Sequence, residues 1–305
     1  MLKFFTDYTG VKFTGINHIF DVSENFLEFG GITIKWYGVI IAFGFLLAVL
    51  FGGRMAYKYR INLNNMVDVL IFGTIGGIVG ARLYYVIFEW DYYKDHLGEI
   101  IQIWNGGLAI YGGIIGGLAM AYFVCKKHEM SFAQLLDLVG MSLLIGQGIG
   151  RWGNFANQEA FGTNTTAPWG MLSEKTTAYL SEHYSEITSN GIEIDPSLPV
   201  HPTFLYESLW CLIGFILIYT MCRKFYKFHG QLFLSYAIWY GIGRTIIEGF
   251  RTDSLYLATT GIRVSQALSL GLVISCSLLM AAKFIELKKK PEKKEDEVTE
   301  NGADN

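Results

Sequence analysis

The sequence predicts an all-α integral membrane protein of about seven transmembrane helices with a small extracytoplasmic head or arm, and three observations carry that prediction. Hydrophobic residues fill 51% of the 305 positions and charged residues only 17%, which is too apolar for an ordinary soluble domain. Seven segments approach the roughly 20 mainly apolar residues that cross a bilayer core. One long connection, residues 151–203, gathers Pro, Gly, Asn, Thr and acidic residues away from those runs.

The elements follow in order. Residues 1–36 lack the uninterrupted apolar core and small-residue cleavage site of a signal peptide, so they are expected to form an extracytoplasmic segment whose following helix directs insertion. The spans are expected at 37–53, 66–88, 107–125, 132–150, 204–222, 231–248 and 264–284. Together they make a transmembrane domain over 37–284 that includes the head at about 151–203. Cytoplasmic connections carry an excess of Lys and Arg. Arg54, Lys58 and Arg60, then Lys126 and Lys127, then Arg223, Lys224 and Lys227 mark alternate connections as cytoplasmic. The N-terminus is then outside and the C-terminus inside. Residues 285–305 carry almost no apolar side chains and are expected to be a disordered, charged cytoplasmic tail. Glycines spaced by four, such as Gly76/Gly80 and Gly112/Gly116, predict close helix approach.

The formal charge of −3 points to no nucleic acid partner. Cys125, Cys211, Cys222 and Cys276 lie in or beside apolar runs with no metal-ligand spacing, so they are read as packing residues and no metal site is expected.

Ionisable groups inside a span need a partner or a cavity. Threading the spans with this orientation puts Tyr37, Arg82, Tyr111, Arg151, Glu207, Tyr240, Arg244 and Glu248 at one outer-leaflet depth, leaving Asp68 and Asp137 nearer the cytoplasm. Tyr240, Arg244 and Glu248 recur every four residues and share a helix face. An Arg–Glu pair at that spacing can simply neutralise itself, but an excess of arginine beside headgroups points to phosphate, which a guanidinium fork fits. The stretch GRWGNFANQEAFG at 150–162 adds donors just as a helix leaves the bilayer.

These residues resemble the prolipoprotein diacylglyceryl transferase family over most of the chain. The likeness rests on Trp36-Tyr37-Gly38, Gly80-Ala81-Arg82, the glycine-rich run at 106–113, the 150–162 stretch through Gly162, His201-Pro202 with Leu205-Tyr206-Glu207, and Tyr240 to Arg244 with Glu248 and Arg251. It implies a bacterial cell-membrane enzyme without a cofactor. Its substrates would be phosphatidylglycerol, a membrane lipid, and prolipoprotein signal peptides with a lipobox cysteine. The cysteine thiol would attack the glycerol carbon bearing the phosphate, giving a thioether and glycerol 1-phosphate.

By the same resemblance Arg151 would bind the phosphate, Asn154 and Glu159 would shape its site, and Arg244 would stabilise charge at the reacting end. Many members have a histidine where this chain has Tyr111. A phenol, with a reference pKa of ~10, is a poor base at about pH 7, so Tyr111 is cast as a hydrogen-bond donor. Glu248, or a thiolate favoured by Arg244, is then the candidate for thiol activation. The alternative is a lipid or small-molecule transporter, which would need polar access from both sides.

Overall fold

The computed structural model describes residues 3–4, 8–254 and 263–289. Most of the expected tail, from residue 290 onward, lies outside the described residues. Helix dominates. The long helices are α1 (Trp36–Lys58), α2 (Leu63–Phe88), α4 (Ile110–Lys127), α5 (Phe132–Asn157), α8 (Thr203–Lys224), α9 (Gln231–Glu248) and α10 (Val264–Lys289). Short α3 (Trp90–Tyr93), α6 (Glu174–Glu182) and α7 (Tyr184–Ser189) lie in the connections. Among the described residues five helices, α1, α2, α5, α8 and α10, are long and apolar enough to cross a membrane. The remaining two long ones, α4 and α9, have 18 residues each.

Polar side chains set several helix starts. Asn62 accepts a hydrogen bond from the Asn64 N–H at 2.9 Å to open α2, and Ser131 accepts one from Gln134 to open α5. Lys58, Lys126 and Lys127, and Arg223 and Lys224 occupy the last turns of α1, α4 and α8, where positive charge complements the helix dipole.

Packing is pairwise: α2 on α4, α1 on α5, α9 on α10, and α5 against both α8 and α9. The α2–α4 contact is a glycine seam. A Cβ on Gly80 would lie 2.9 Å from the Gly116 Cα, so only bare backbone permits this approach. The central core joins Met55 of α1, Leu138, Met141 and Leu144 of α5, Ile218 of α8 and Leu232 of α9. Beside it, the fully buried Asp137 of α5 accepts hydrogen bonds from the Gly230, Leu232 and Phe233 N–H groups and from the Tyr226 hydroxyl, at 2.7–2.9 Å. A carboxylate from one helix thus satisfies the orphan amides that open α9. All four cysteines are buried, unbridged thiols.

Two features depart from the sequence expectation. First, β structure accompanies the helices: β1 (Lys3–Phe4), β2 (Tyr8–Phe13), β3 (Ile19–Ser23), β4 (Asn25–Phe29), β5 (Ile32–Lys35) and β6 (Met171–Ser173). They form two antiparallel three-stranded sheets, ordered β1-β4-β5 and β3-β2-β6. Because Val11 of β2 pairs with Ser173 of β6, the N-terminal segment and the 151–203 connection build one layer rather than two separate appendages. Val11, Met171, Leu180, Ile187, Val200 and Phe204 give that layer its own core. Second, α5 runs on to Asn157, so Arg151 and Asn154 stand within the helix instead of beyond its end.

The glycine seam makes a direct prediction. Gly116→Ala should lower the thermal unfolding midpoint in detergent, at a cost of about 1–3 kcal/mol from overpacking. Gly53→Ala, where an added Cβ meets nothing within 4 Å, should leave the midpoint unchanged or raised.

Candidate functional site

The site lies where the C-terminal part of α5, the first turns of α8 and the last turns of α9 meet the β layer. Glu207 stands at its centre. One carboxylate oxygen lies 2.6 Å from Arg151 Nη2, and the other lies 3.8 Å from Arg244 Nη1 and 3.7 Å from Arg251 Nη1. Glu248 lies 2.7 Å from Arg244 Nη2 and 4.0 Å from Arg251 Nε. Asp253 takes the Arg251 fork with both oxygens, at 2.9 and 2.6 Å. Among the described residues, three guanidinium groups therefore face three carboxylates at this centre. The reason is burial: the side chains of Glu207, Glu248 and Arg251 are 10%, 3% and 12% exposed, and charges so withdrawn from water must be matched.

Arg151 extends the network in a second direction. Its Nη1 donates to Asn154 Oδ1 at 3.4 Å, and Asn154 Nδ2 donates to Glu159 at 2.9 Å. Beyond Asn157 the chain turns sharply, with Gln158 and Ala160 in the left-handed region at φ 55° and 56°. This turn brings Gly162 against the residues after α9. Gly162 bridges Arg251, and its N–H donates to the His201 carbonyl. A Cβ on Gly162 would lie 2.8 Å from the His201 Cβ and 2.9 Å from the Phe250 carbonyl oxygen, so the position requires glycine for close approach.

Two cavities meet at Arg151. A small one, of about 20 Å³, is bounded by Gln147, Arg151, Glu207, Tyr240 and Arg244 and has room for one water-sized group. The larger, of about 520 Å³, is mostly apolar and lies between α1, α2 and α5. It begins at Tyr37, Arg151 and Asn154 and continues along Ile41, Phe45, Leu143 and Leu138 to Met66 and Leu135. From Asn154 to Leu135 along α5 is roughly 28 Å at the usual helical rise of ~1.5 Å per residue. An elongated, mostly apolar cavity thus meets a buried ionic cluster, with Arg151 in both.

The structure brings together Tyr37, Arg151, Asn154, Glu159, Gly162, Glu207, Tyr240, Arg244, Glu248 and Arg251. Tyr240 stacks on Tyr236 at 6.0 Å, and Tyr37 packs its ring on Gly153. Two expected site residues stand apart. Arg82 is 6% exposed, and its guanidinium donates to four backbone carbonyls, those of Glu99, Ile100, Gly106 and Gly107, at 2.7–2.9 Å. It fastens the α2–α4 connection, which leaves it little capacity to bind a ligand. Tyr111 opens α4, is 46% exposed and lines neither cavity, because α4 packs on α2 rather than on α8 or α9.

Sequence reasoning missed Gln147 and the Trp210–Trp239 pair. Gln147 lines both cavities and donates to the Tyr236 hydroxyl at 2.9 Å. The two indoles stack at 4.3 Å, and each N–H donates to the other tryptophan's carbonyl, at 3.0 and 2.9 Å. Trp210 lies against Gly243 of α9 and Trp239 against Gly214 of α8. The signal was present as tryptophan followed four residues later by glycine in both helices. His201, read as a plain helix start, takes part in a hydrogen-bond chain: the Trp169 indole donates to the Tyr206 hydroxyl at 2.7 Å, which lies 2.9 Å from His201 Nδ1. Burial lowers the His201 pKa below the ordinary imidazole value, keeping it neutral near pH 7.

Fold and site together define a membrane-embedded helical bundle with an elongated, mostly apolar cavity ending at a buried arginine–carboxylate centre. Comparison with known proteins gives the family. The family model for prolipoprotein diacylglyceryl transferase matches residues 24–282. Similar proteins named phosphatidylglycerol–prolipoprotein diacylglyceryl transferase include that of Listeria welshimeri, 47% identical over 81% of this chain and 85% of the relative. Those of Finegoldia magna, at 44% over 82% and 91%, and Bacillus velezensis, at 42% over 83% and 89%, are comparable. The chain belongs to the prolipoprotein diacylglyceryl transferase family.

Replacing the Arg82 fork should loosen what it holds. Arg82→Lys should lower stability by about 2–3 kcal/mol, since one ammonium cannot satisfy four carbonyls in that geometry. Chymotryptic cleavage at the exposed Trp104 should become faster, and an unchanged cleavage rate would remove the fastening role.

Proposed function

We infer that this chain transfers the diacylglyceryl group of phosphatidylglycerol to the thiol of a prolipoprotein lipobox cysteine. The single observation that carries this reading is Arg151, placed where an elongated, mostly apolar cavity meets the ionic cluster. Acyl chains lie in the cavity along α1, α2 and α5, and the phosphate comes to Arg151. Asn154, Glu159 and Gly162 shape that end, while Tyr37 closes it. The phosphate has to compete with Glu207 for the guanidinium. Glu207 can let go without being left unpaired, because Arg244 and Arg251 are already within 3.8 Å and 3.7 Å.

In the reaction, the thiolate sulfur forms a bond to the glycerol carbon that bears the phosphate. The C–O bond breaks, its electron pair stays on the phosphate oxygen, and glycerol 1-phosphate leaves. The thiol proton is released. Arg244 favours the thiolate and offsets the charge that develops on the leaving group. Glu248 accepts the proton, and Arg251 holds Glu248 and Glu207 in place while Tyr240 walls the pocket. Tyr111, half exposed at the start of α4 and lining neither cavity, serves at most as a donor to an arriving substrate. The transporter alternative is not favoured, as the relatives are named as transferases.

The same reading assigns the chain to the bacterial cell membrane with its N-terminus outside, its C-terminus cytoplasmic and its site at the outer leaflet. It counts α4 and α9 as spans, making seven. The expected division into an external segment over 1–36, a bundle over 37–284 with its head at 151–203, and a tail over 285–305 shifts at two edges: the head begins after Asn157, where α5 ends, and the tail begins after Lys289, where α10 ends.

The test is reconstitution of the purified chain with phosphatidylglycerol and a lipobox peptide. A mobility shift of the peptide that requires its cysteine is expected, whereas glycerol phosphate release without peptide modification would assign a lipase. Arg151→Ala should abolish the shift with the protein still monodisperse. Glu248→Gln should slow turnover on the order of 100-fold with KM for phosphatidylglycerol unchanged, the range of a lost general base; unchanged turnover would remove Glu248 from the mechanism.

A further inference from the structure

A second polar feature lies at the far end of the bundle. From Tyr37, at the site, to Lys58 is 21 residues of α1, roughly 31 Å at ~1.5 Å per residue, about one hydrocarbon thickness. There a cleft of about 500 Å³ between the C-terminal ends of α1 and α8 is lined by Arg54, Met55, Tyr57, Lys58, Tyr219 and Arg223. An adjoining recess of about 540 Å³ shares Tyr57 and Lys58 and adds Arg60. Four cations converge on these hollows, and no carboxylate lines either of them. Among the described residues none of the four has an ion-pair partner. This inverts the arrangement at the Glu207 site, where every arginine is matched.

The surface leading into the cleft is apolar. On α8, Leu212 and Ile216 are 54% and 55% exposed and continue at helical spacing to Tyr219 and Arg223. On α1, Leu50 is 59% exposed and stands four residues before Arg54. Phe51 and Phe215 meet edge to face at 5.2 Å behind these stripes, and Phe215 stacks on Tyr219 at 5.8 Å. Two exposed apolar stripes that end in unmatched cations one bilayer thickness from the active centre have the chemistry of a phospholipid: chains on the stripes, phosphate among the cations.

We propose that the α1–α8 cleft binds an anionic phospholipid of the leaflet opposite the active site, held as a structural lipid and not as a substrate. Arg54 and Arg223 present planar forks to the phosphate oxygens, and Lys58 adds a point charge. A soluble phosphate compound would use the same cations but would leave the stripes uncovered, so the lipid is the occupant that the apolar surface favours.

The experiment uses the full chain carrying Arg151→Ala, so that the active centre does not contribute, in phosphatidylcholine nanodiscs containing phosphatidic acid. Lipids retained after release are counted by native mass spectrometry. One tightly held phosphatidic acid is expected, with at least a tenfold loss of occupancy when Arg54→Gln, Lys58→Gln and Arg223→Gln are added. A matched set, Lys126→Gln, Lys127→Gln and Lys224→Gln, removes the same charge outside the cleft and should leave the count unchanged. Equal retention with and without the cleft cations would overturn the proposal, as would equal loss in the matched set, which would indicate generic attraction. Displacement of the lipid by free glycerol phosphate would assign the cleft to a soluble ligand instead. Arg54→Lys with Arg223→Lys keeps the charge and should keep most of the occupancy, which separates binding from misfolding. None of these outcomes depends on turnover, so failure here and failure of the transferase reading are distinguishable.

Discussion

The Glu207 carboxylate touches or approaches three guanidinium groups that arrive from three different parts of the chain: Arg151 from α5, Arg244 from α9 and Arg251 from the turn after α9. A carboxylate 10% exposed at the start of an apolar helix is tolerable only while cations remain beside it, because leaving a buried charge with no partner costs about 3–5 kcal/mol. The condition is mutual. Arg244 and Arg251 need Glu207 and Glu248 as much as the acids need them, so the relative positions of α5, α8 and α9 are fixed by one electrostatic requirement. Other contacts deliver the helices to it. The reciprocal Trp210–Trp239 stack, seated on Gly243 and Gly214, sets the spacing of α8 and α9. At the other end, Asp137 caps α9 from α5 and so anchors the helix that carries Arg244 and Glu248.

A charge-balanced resting centre changes how an anionic ligand has to be bound. With the guanidinium groups already paired to carboxylates, an anionic ligand would have to displace one of them. Arg151 is suited to exchange because it sits at the edge of the cluster, its side chain 24% exposed, with Asn154 as a second partner and the apolar cavity beside it. Arg251, doubly bound by Asp253, is the least free of the three and serves as a fixed post. Side-chain exposure falls in the same order, from 24% at Arg151 through 20% at Arg244 to 12% at Arg251.

Much of this was legible in the sequence, and what was not has definite causes. The long helices are legible because apolar length in a membrane protein leaves few alternatives, and the face shared by Tyr240, Arg244 and Glu248 follows from a spacing of four. The glycine seam between α2 and α4 is legible for the same reason. The β layer is not, because β1 to β5 are strands of only two to six residues, and although β2 with β3 and β4 with β5 pair locally, the pairing of Val11 with Ser173 that joins the layer links positions 162 residues apart. Arg82 and Tyr111 are expected at the site from their depth in the bilayer and from the family likeness, and neither ground fixes which helices pack together. Depth is a single coordinate, and it cannot say which helix pairs with which: once α2 and α4 zip together through glycine, Arg82 meets the carbonyls of the Glu99–Gly107 connection, and Tyr111 stands half exposed at the start of α4.

The two ends of the bundle treat arginine oppositely, and the difference follows from solvation. At the active centre the side chains are withdrawn from water, so each cation carries a matching anion within about 4 Å as a condition of folding. At the α1–α8 cleft, Arg54, Lys58, Arg60 and Arg223 are exposed at or just beyond the helix ends, where solvent can solvate them and no protein carboxylate is needed. An unmatched cation is therefore no cost to the fold there and remains available to a ligand. The matched arginines hold the helices in register for chemistry, while the unmatched ones leave a binding capacity that only the surrounding bilayer is placed to use.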